Sequence, residues 1–269
     1  MKLMVRSLVA AVVVALGLVV PTGPAVAAPR FHALVFSKTA AFRHDSIPAG
    51  VAAIQKLGAR YNFSVDATED ATAFTSANLA RYQVVIWLST TGDVLDDEQQ
   101  AAFEGYIRAG GGYAGIHAAS DTEYDWPWYG GLVGAYFRDH PGSVNAQFQT
   151  ATVKIVGRGT AATRSLPRRW QREDEWYNFR TNPQGTVRVL AEVDESTYDP
   201  RGYSVPGGSP GMGPHHPISW CQPYDGGRAF YTAMGHKPGY YTDQLLLTHL
   251  LGGIRMAAGV ARFDCGQED

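Results

Sequence analysis

Four strand-like runs, separated by segments of helical periodicity, constrain the fold of the first half of this chain more than any other feature. The first run, His32–Phe36, is mostly apolar, as is typical of a strand buried on both faces of a sheet. Three further runs cover residues 63–67, 84–88 and 113–116, and helical patterns cover residues 47–57, 74–79 and 97–108. Strands that alternate with helices predict a parallel sheet joined by right-handed crossovers.

Beyond about residue 140, the pattern changes to strands with fewer helices between them. Strand candidates cover residues 152–156, 175–179, 187–192, 218–221 and 229–232, a Gly- and Pro-rich loop or lid covers 203–217, and a closing helix covers 244–256. We therefore predict the α/β class: an open, mostly parallel sheet with helices on both faces and an extra β-rich flank in the C-terminal half.

The N-terminal segment has the pattern of a secretory signal peptide. An apolar core over residues 8–20 follows a positively charged start, and Ala25-Val26-Ala27 is a small-residue cleavage signal. We predict a signal peptide over residues 1–27, with cleavage after Ala28 as the near alternative, a single domain over residues 28–269, and a secreted, extracellular protein. No other stretch approaches the ~20 apolar residues of a membrane-spanning helix, so we expect no membrane span.

The charge balance and the cysteines restrict the class of protein further. The chain has 23 basic and 25 acidic residues, and removing Lys2 and Arg6 leaves 21 and 25, a formal charge of −4. Nothing in this balance indicates a basic patch, so we expect no nucleic-acid partner. Cys221 and Cys265 lack C-x-x-C spacing, and an oxidising compartment favours a structural disulfide between them over two free thiols.

The strongest candidate for a reactive side chain is His117, which directly follows the strand Tyr113–Ile116. Ligands of open parallel sheets bind beyond the carboxyl ends of the strands, so the imidazole points towards the expected site. The stretch resembles a nucleophile elbow in which His117 replaces Ser or Cys and Ala119 replaces the second Gly. The alternative is a structural histidine that is hydrogen-bonded beneath a loop.

Further polar residues follow other strands. His44 follows the first strand and Thr91 follows the third, so a parallel sheet brings them to one edge with His117, and we expect His44 within about 10 Å of His117. His140 lies in a loop, and His236 follows the strand candidate at 229–232. His32 and His249 lie inside a strand and a helix, and we expect structural roles for them.

Carboxylates and aromatic residues accompany these histidines. Asp121 follows His117 by four residues, and Glu175 directly precedes Trp176 and Tyr177. A histidine paired with a carboxylate can abstract a proton next to a carbonyl or serve general acid–base hydrolysis. The same side chains could hold a divalent metal ion, although no H-E-x-x-H spacing is present. The sequence also contains no G-x-C-x-G motif and no P-loop motif, which argues against a glutamine amidotransferase and against nucleotide binding.

The order of these motifs makes the chain resemble the trehalose-utilisation (ThuA-like) domain family from about residue 31 to residue 259. The matching pieces are Lys38-Thr39, Phe42-Arg43-His44, the stretch from Trp87 to Gly92, the stretch from Gly111 to His117, His140-Pro141, Asp174 to Tyr177, Pro217 to Trp220, and Gly227 to His236. The resemblance implies a fold similar to class I glutamine amidotransferases, with His117 at the position of the nucleophile elbow. It also implies a role in sugar catabolism, notably of disaccharides oxidised to 3-keto sugars.

We therefore predict a secreted carbohydrate-active enzyme that hydrolyses, eliminates or isomerises a glycoside or a 3-keto sugar. Its predicted catalytic residues are His117, His44, Glu175 and His236, and its predicted substrate-binding residues are Thr91, Asp121, His140, Trp176 and Tyr177. A divalent metal cofactor is compatible with this set. The alternatives are a non-catalytic sugar-binding module on the same fold and a metal-dependent hydrolase of an unrelated substrate.

Overall fold

A nine-stranded sheet forms the centre of the computed structural model, which describes residue 28 and residues 30–266. In chain order the strands are β1 His32–Phe36, β2 Ser64–Thr68, β3 Val84–Leu88, β4 Gly112–Ile116, β5 Phe137–Asp139, β6 Phe148–Ile155, β7 Arg169–Glu175, β8 Asn178–Phe179, β9 Arg188–Val193, β10 Pro217–Tyr224 and β11 Gly227–Thr232. The order across the large sheet is β2-β1-β3-β4-β11-β10-β9-β6-β7, and β5 and β8 form a separate two-stranded sheet.

The first half of the large sheet is parallel. β1 pairs in parallel with β2 and β3, β3 pairs with β4, and β4 pairs with β11. The predicted parallel sheet is confirmed, and β11 from the C-terminal half joins it. The carboxyl ends of β1, β3, β4 and β11 consequently lie at one edge.

Helices cover both faces of this sheet. The α-helices are α1 Ile47–Tyr61, α2 Ser76–Leu79, α3 Asp97–Arg108, α4 Pro127–Val133 and α5 Gln244–Ala257. On one face, the ring of Trp87 in β3 packs against Phe103 of α3 and Tyr129 of α4. On the other face, Gly50 of α1 lies so close to the next β3 side chain, Leu88, that a Cβ atom would come within 2.9 Å of it. Alternate side chains of one buried strand therefore serve the two layers, as the predicted class requires.

The C-terminal half extends the sheet with antiparallel strands, and here one predicted strand is wrong. Residues 175–179 do not form one strand, because β7 ends at Glu175 and β8 pairs with β5 in the second sheet. β7 itself was not predicted, since its inward positions include Arg172 and Asp174, which form an ion pair of 2.6 Å. Charged residues that pair inside the protein hide the alternation of apolar and polar residues on which the prediction depends.

The disulfide prediction is confirmed: Cys221 of β10 is bonded to Cys265, with their Cα atoms 5.5 Å apart. It ties the C-terminal segment to the antiparallel part of the sheet. The predicted signal peptide, residues 1–27, lies outside the described residues. Within the described part of the chain, no helix has the length and apolar character needed to cross a bilayer.

Candidate active site

The backbone of His117 has an unusual conformation. β4 ends at Ile116, and His117 follows with a φ of 54°, in the left-handed region, as the first residue of a short 3₁₀ turn. Residues other than glycine adopt this region at a cost of about 1–2 kcal/mol. Strained residues persist only where the surrounding structure holds them in place, and they are found most often at functional sites.

Hydrogen bonding sets the direction of the His117 ring. Its Nδ1 lies 2.7 Å from the carbonyl oxygen of Ala233, the residue that follows β11. Since a carbonyl oxygen only accepts, Nδ1 donates this bond and the lone pair of Nε2 points away from it. A backbone carbonyl commonly orients metal-ligating histidines in this way.

Three side chains surround the Nε2 atom of His117. His44 Nε2 lies 3.2 Å from it, His236 Nδ1 lies 3.1 Å from it, and the Tyr177 hydroxyl lies 3.0 Å from it. The expected proximity of His44 and His117 at one edge of the sheet is confirmed. His236 joins them because β11 is parallel to β4 and ends at the same edge.

Glu175, the last residue of β7, links this cluster to a second group. Its Oε2 atom lies 2.8 Å from His236 Nδ1 and 3.5 Å from His117 Nε2. Its Oε1 atom lies 3.1 Å from His140 Nε2 and accepts a hydrogen bond of 2.5 Å from the amide of Gln147. One buried carboxylate thus contacts three imidazoles and an amide.

A buried ion pair holds Glu175 and His236 next to each other. Asp174 accepts hydrogen bonds from the backbone amides of Glu175, Gly235 and His236, at 3.0, 3.0 and 3.3 Å. Arg172 compensates the charge of Asp174 at 2.6 Å. The end of β7 and the segment after β11 are therefore fixed relative to each other through one carboxylate.

Burial determines the protonation of the cluster. Loss of hydration, together with the nearby His236, lowers the pKa of His44 to about 4, and burial lowers the pKa of His117 well below its usual value. Burial raises the pKa of Glu175, but the hydrogen bond with His236 and the neighbouring imidazoles outweigh it and lower this pKa to about 2. At neutral pH the site combines neutral imidazoles at His44 and His117 with an ionised carboxylate.

This donor set fits a divalent metal ion. One ligand atom from each of His44, His117, Glu175 and His236 lies within 4.8 Å of all the others. The convergence of imidazole nitrogens on one point leaves lone pairs that a cation would satisfy. Imidazole and carboxylate ligands suit zinc and related first-row metals, which bind the deprotonated forms.

A cavity of about 190 Å³ opens beside the cluster. Its walls are Phe42, His44, Asp121, Phe137, His140, Gln147, Glu175, Tyr177, Tyr203 and His236. Phe42 and Tyr203 are 62% and 47% exposed and form an aromatic rim, while Asp121 is inside, where burial raises its pKa. One oxygen of Asp121 accepts a hydrogen bond of 2.6 Å from the Tyr124 hydroxyl.

Two residues that we predicted to bind substrate lie away from this cavity. Trp176 is buried, and its ring nitrogen donates to the carbonyl of Gln149 at 2.8 Å. Thr91 donates to the carbonyl of Phe42 at 2.8 Å and so supports the rim from behind. The other predicted residues either line the cavity or, like His117, lie directly behind it.

Four wall residues were absent from our sequence-based set: Phe42, Phe137, Gln147 and Tyr203. Phe42 lies within a matching motif, two residues before His44, and Tyr203 begins the Gly- and Pro-rich loop, so both had a sequence signal. Gln147 and Phe137 had none. Phe137 is placed by the pairing of β5 with β8, and Gln147, in the loop between β5 and β6, is placed by its hydrogen bond with Glu175.

Comparisons with known proteins agree with this fold. The chain is similar to a ThuA-like protein from Bacteroides uniformis, with a TM-score of 0.66 and 23% identity over 89% of this chain and 94% of that one. It is also similar to a ThuA-like protein from Parabacteroides merdae, with a TM-score of 0.67 and 21% identity over 86% and 90% of the two chains. A cytoplasmic protein from Salmonella typhimurium has a TM-score of 0.58 at 12% identity, over 84% of this chain and 99% of that one.

No curated protein matches the chain. Solved structures at this level of identity establish the fold alone. The family assignment depends instead on the sequence model described as trehalose utilisation, ThuA, which matches residues 32–257 and therefore most of the chain. The chain belongs to the trehalose-utilisation (ThuA) family.

Proposed function

We propose that this protein is an exported, metal-assisted carbohydrate-active enzyme that acts on a glycoside or a 3-keto sugar. The observation that carries the proposal is the group of three imidazole nitrogens and one carboxylate oxygen within 4.8 Å of one another beside a cavity. The family relates to trehalose utilisation, which supports a sugar as the ligand. His44, His117, His236 and Glu175 would hold the metal ion, which when bound supplies a Lewis acid for a substrate oxygen.

His140 is the proposed proton donor. Its Nδ1 lies 2.6 Å from the carbonyl oxygen of Pro141, and its Nε2 lies 3.1 Å from Glu175 Oε1. Both partners are hydrogen-bond acceptors, so each ring nitrogen is placed to donate a proton. Its position in the cavity wall allows it to protonate a departing glycosidic oxygen.

Asp121 is the proposed proton acceptor. Burial raises the pKa of this carboxyl, which makes it a stronger base than an exposed aspartate. In a 3-keto glycoside, the C–H group next to the ketone is acidic. Transfer of that proton to Asp121, together with protonation of the leaving oxygen by His140, breaks the glycosidic bond and leaves an unsaturated keto sugar. Both residues line the same cavity.

The size of the cavity supports recognition of a single terminal sugar unit. A volume of about 190 Å³ corresponds to roughly six molecules of liquid water, which is room for one pyranose ring. A second ring would lie outside, between the exposed rings of Phe42 and Tyr203. Aromatic rings beside polar groups suit the apolar C–H faces of sugars.

The test begins with metal content and turnover of the purified protein. We expect zinc or another first-row metal at about one ion per chain, and turnover of a 3-keto disaccharide or its parent glycoside that a chelator abolishes. Glu175→Gln should lose at least ~10²-fold in rate. His215→Ala, at a histidine that is 59% exposed and outside the cavity, is the matched control and should remain active.

The exposed aromatic rim also favours a second candidate, a sugar-binding module without catalysis. In that case Glu175→Gln would still bind disaccharides, Phe42→Ala would weaken their binding, and neither the native protein nor any variant would form product. Loss of turnover in Glu175→Gln with retained sugar binding would support the enzyme. A metal-loaded native protein that converts no glycoside or keto sugar would overturn it.

A further inference from the structure

A groove of about 520 Å³ lies between α1, α5 and the turn at residues 161–165. It shares no described lining residue with the candidate active site. The groove exists because its floor is built from small and aliphatic side chains. Ala52 and Ala53 of α1 face Leu247 and Leu251 of α5 across it.

Four cationic side chains border this apolar floor. Lys56 and Arg60 come from α1, Arg164 from the turn, and Arg255 from α5. Among the described residues, no aspartate or glutamate lines the groove, and no ion pair is formed by any of these four cations. The chain as a whole has two more acidic than basic residues, so this concentration of positive charge is local.

We propose that this groove binds a small organic anion with an apolar body, such as an aliphatic or aromatic carboxylate, sulfate or sulfonate. Its volume lies in the ~300–1,000 Å³ range of small-molecule sites, which are mostly apolar with a few polar groups. The alanines and leucines of the floor would cover the apolar body. The lysine and arginines, which reach the rim from three separate elements, would pair with the anionic group.

The experiment compares two fluorescent probes that share a ring system. The first is 8-anilinonaphthalene-1-sulfonate, and the second is N-phenyl-1-naphthylamine, which lacks the sulfonate. We expect the folded native protein to bind the anionic probe at one site, at least ~10-fold more tightly than the neutral probe. The affinity for the anionic probe should fall in 0.5 M salt, since ions screen exposed charges.

Three variants locate the site. Arg164→Glu combined with Arg255→Glu should lower the affinity for the anionic probe at least ~10-fold and change the affinity for the neutral probe by less than about twofold. Ala52→Trp should fill the apolar floor of the groove and abolish the binding of both probes. The control is Arg262→Glu, at a side chain that is 87% exposed and outside the groove, and it should bind like the native protein. Thermal melts and turnover confirm that each variant is folded, since none of these residues lies in the candidate active site.

Two results would overturn the proposal. Equal binding of both probes, unaffected by the charge reversal, would show an apolar groove without anion recognition. The native protein could also fail to bind the anionic probe and instead sediment as a dimer that the charge reversal dissociates. That result would show that the groove is a contact between two copies of the chain.

Discussion

The left-handed backbone of His117 allows the strain at this site to be measured separately from the loss of the imidazole. His117→Ala and His117→Gly remove the same ring and the same 2.7 Å hydrogen bond to Ala233. In both variants a buried carbonyl oxygen loses its partner, which costs ~1–3 kcal/mol relative to the native protein. The two variants then differ only in backbone freedom at this position and in the one buried methyl group that alanine retains.

The expected sign of that difference is the reverse of the usual one. On ordinary strand or helix backbone, glycine is ~0.5–1 kcal/mol less stable than alanine, because its unfolded chain has more freedom. At a φ of 54°, alanine retains the strain of the left-handed region and glycine does not. We therefore expect His117→Gly to be about 1 kcal/mol more stable than His117→Ala. In a chain of this size, that corresponds to a melting temperature about 2–4 °C higher.

Urea unfolding and thermal melts in the presence of a chelator measure this difference without a contribution from bound metal. Metal content and turnover are measured on the same preparations, and both variants should lose the metal and at least ~10²-fold in rate. If glycine proves less stable than alanine, the backbone is not strained at this position. If either variant keeps its metal and its turnover, His117 has no role in the proposed chemistry.

Further predictions concern the disulfide, the buried ion pair, pH dependence and export. Replacing Cys221 and Cys265 with serine should lower the free energy of unfolding in urea by about 4 kcal/mol, since the bond closes a loop of 44 residues; a loss below ~1 kcal/mol would contradict the loop-entropy argument. Asp174→Asn should destabilise the fold by ~3–5 kcal/mol, because the buried guanidinium of Arg172 loses its nearest counter-charge, and should weaken zinc binding in calorimetry ~10–100-fold. Burial lowers the pKa of His249 to about 4. As the pH falls, this imidazole is protonated in the unfolded chain before it is protonated in the folded protein. Its contribution to the free energy of unfolding is therefore complete above pH ~6.5 and falls by ~2–3 kcal/mol towards pH 4. His249→Gln should remove that part of the pH dependence in urea titrations, and an unchanged slope would contradict it. N-terminal sequencing of the exported protein should begin at Ala28, and an intact first residue would contradict the signal-peptide prediction.

The first half of the fold could be predicted from the sequence because its signals are local. The β1, β3 and β4 runs and the helix Asp97–Arg108 lie where the residue pattern places them, and Asp96 and Gln99 form the capping box at the start of that helix. The proximity of His44 and His117 followed from parallel topology alone. Residues that follow neighbouring parallel strands share an edge, whatever their distance in sequence.

Other parts of the site depended on the packing of distant segments. Glu175 approaches the histidines because β7 ends at the site and Asp174 binds the backbone at residues 235 and 236, a contact across about 60 residues that no local pattern encodes. Trp176 and Tyr177 are neighbours in sequence, yet one lies in the core beside Gln149 and the other faces His117. Successive side chains of an extended segment point to opposite sides, so its register decides which one reaches the cavity, and here that register is set by long-range pairing between strands.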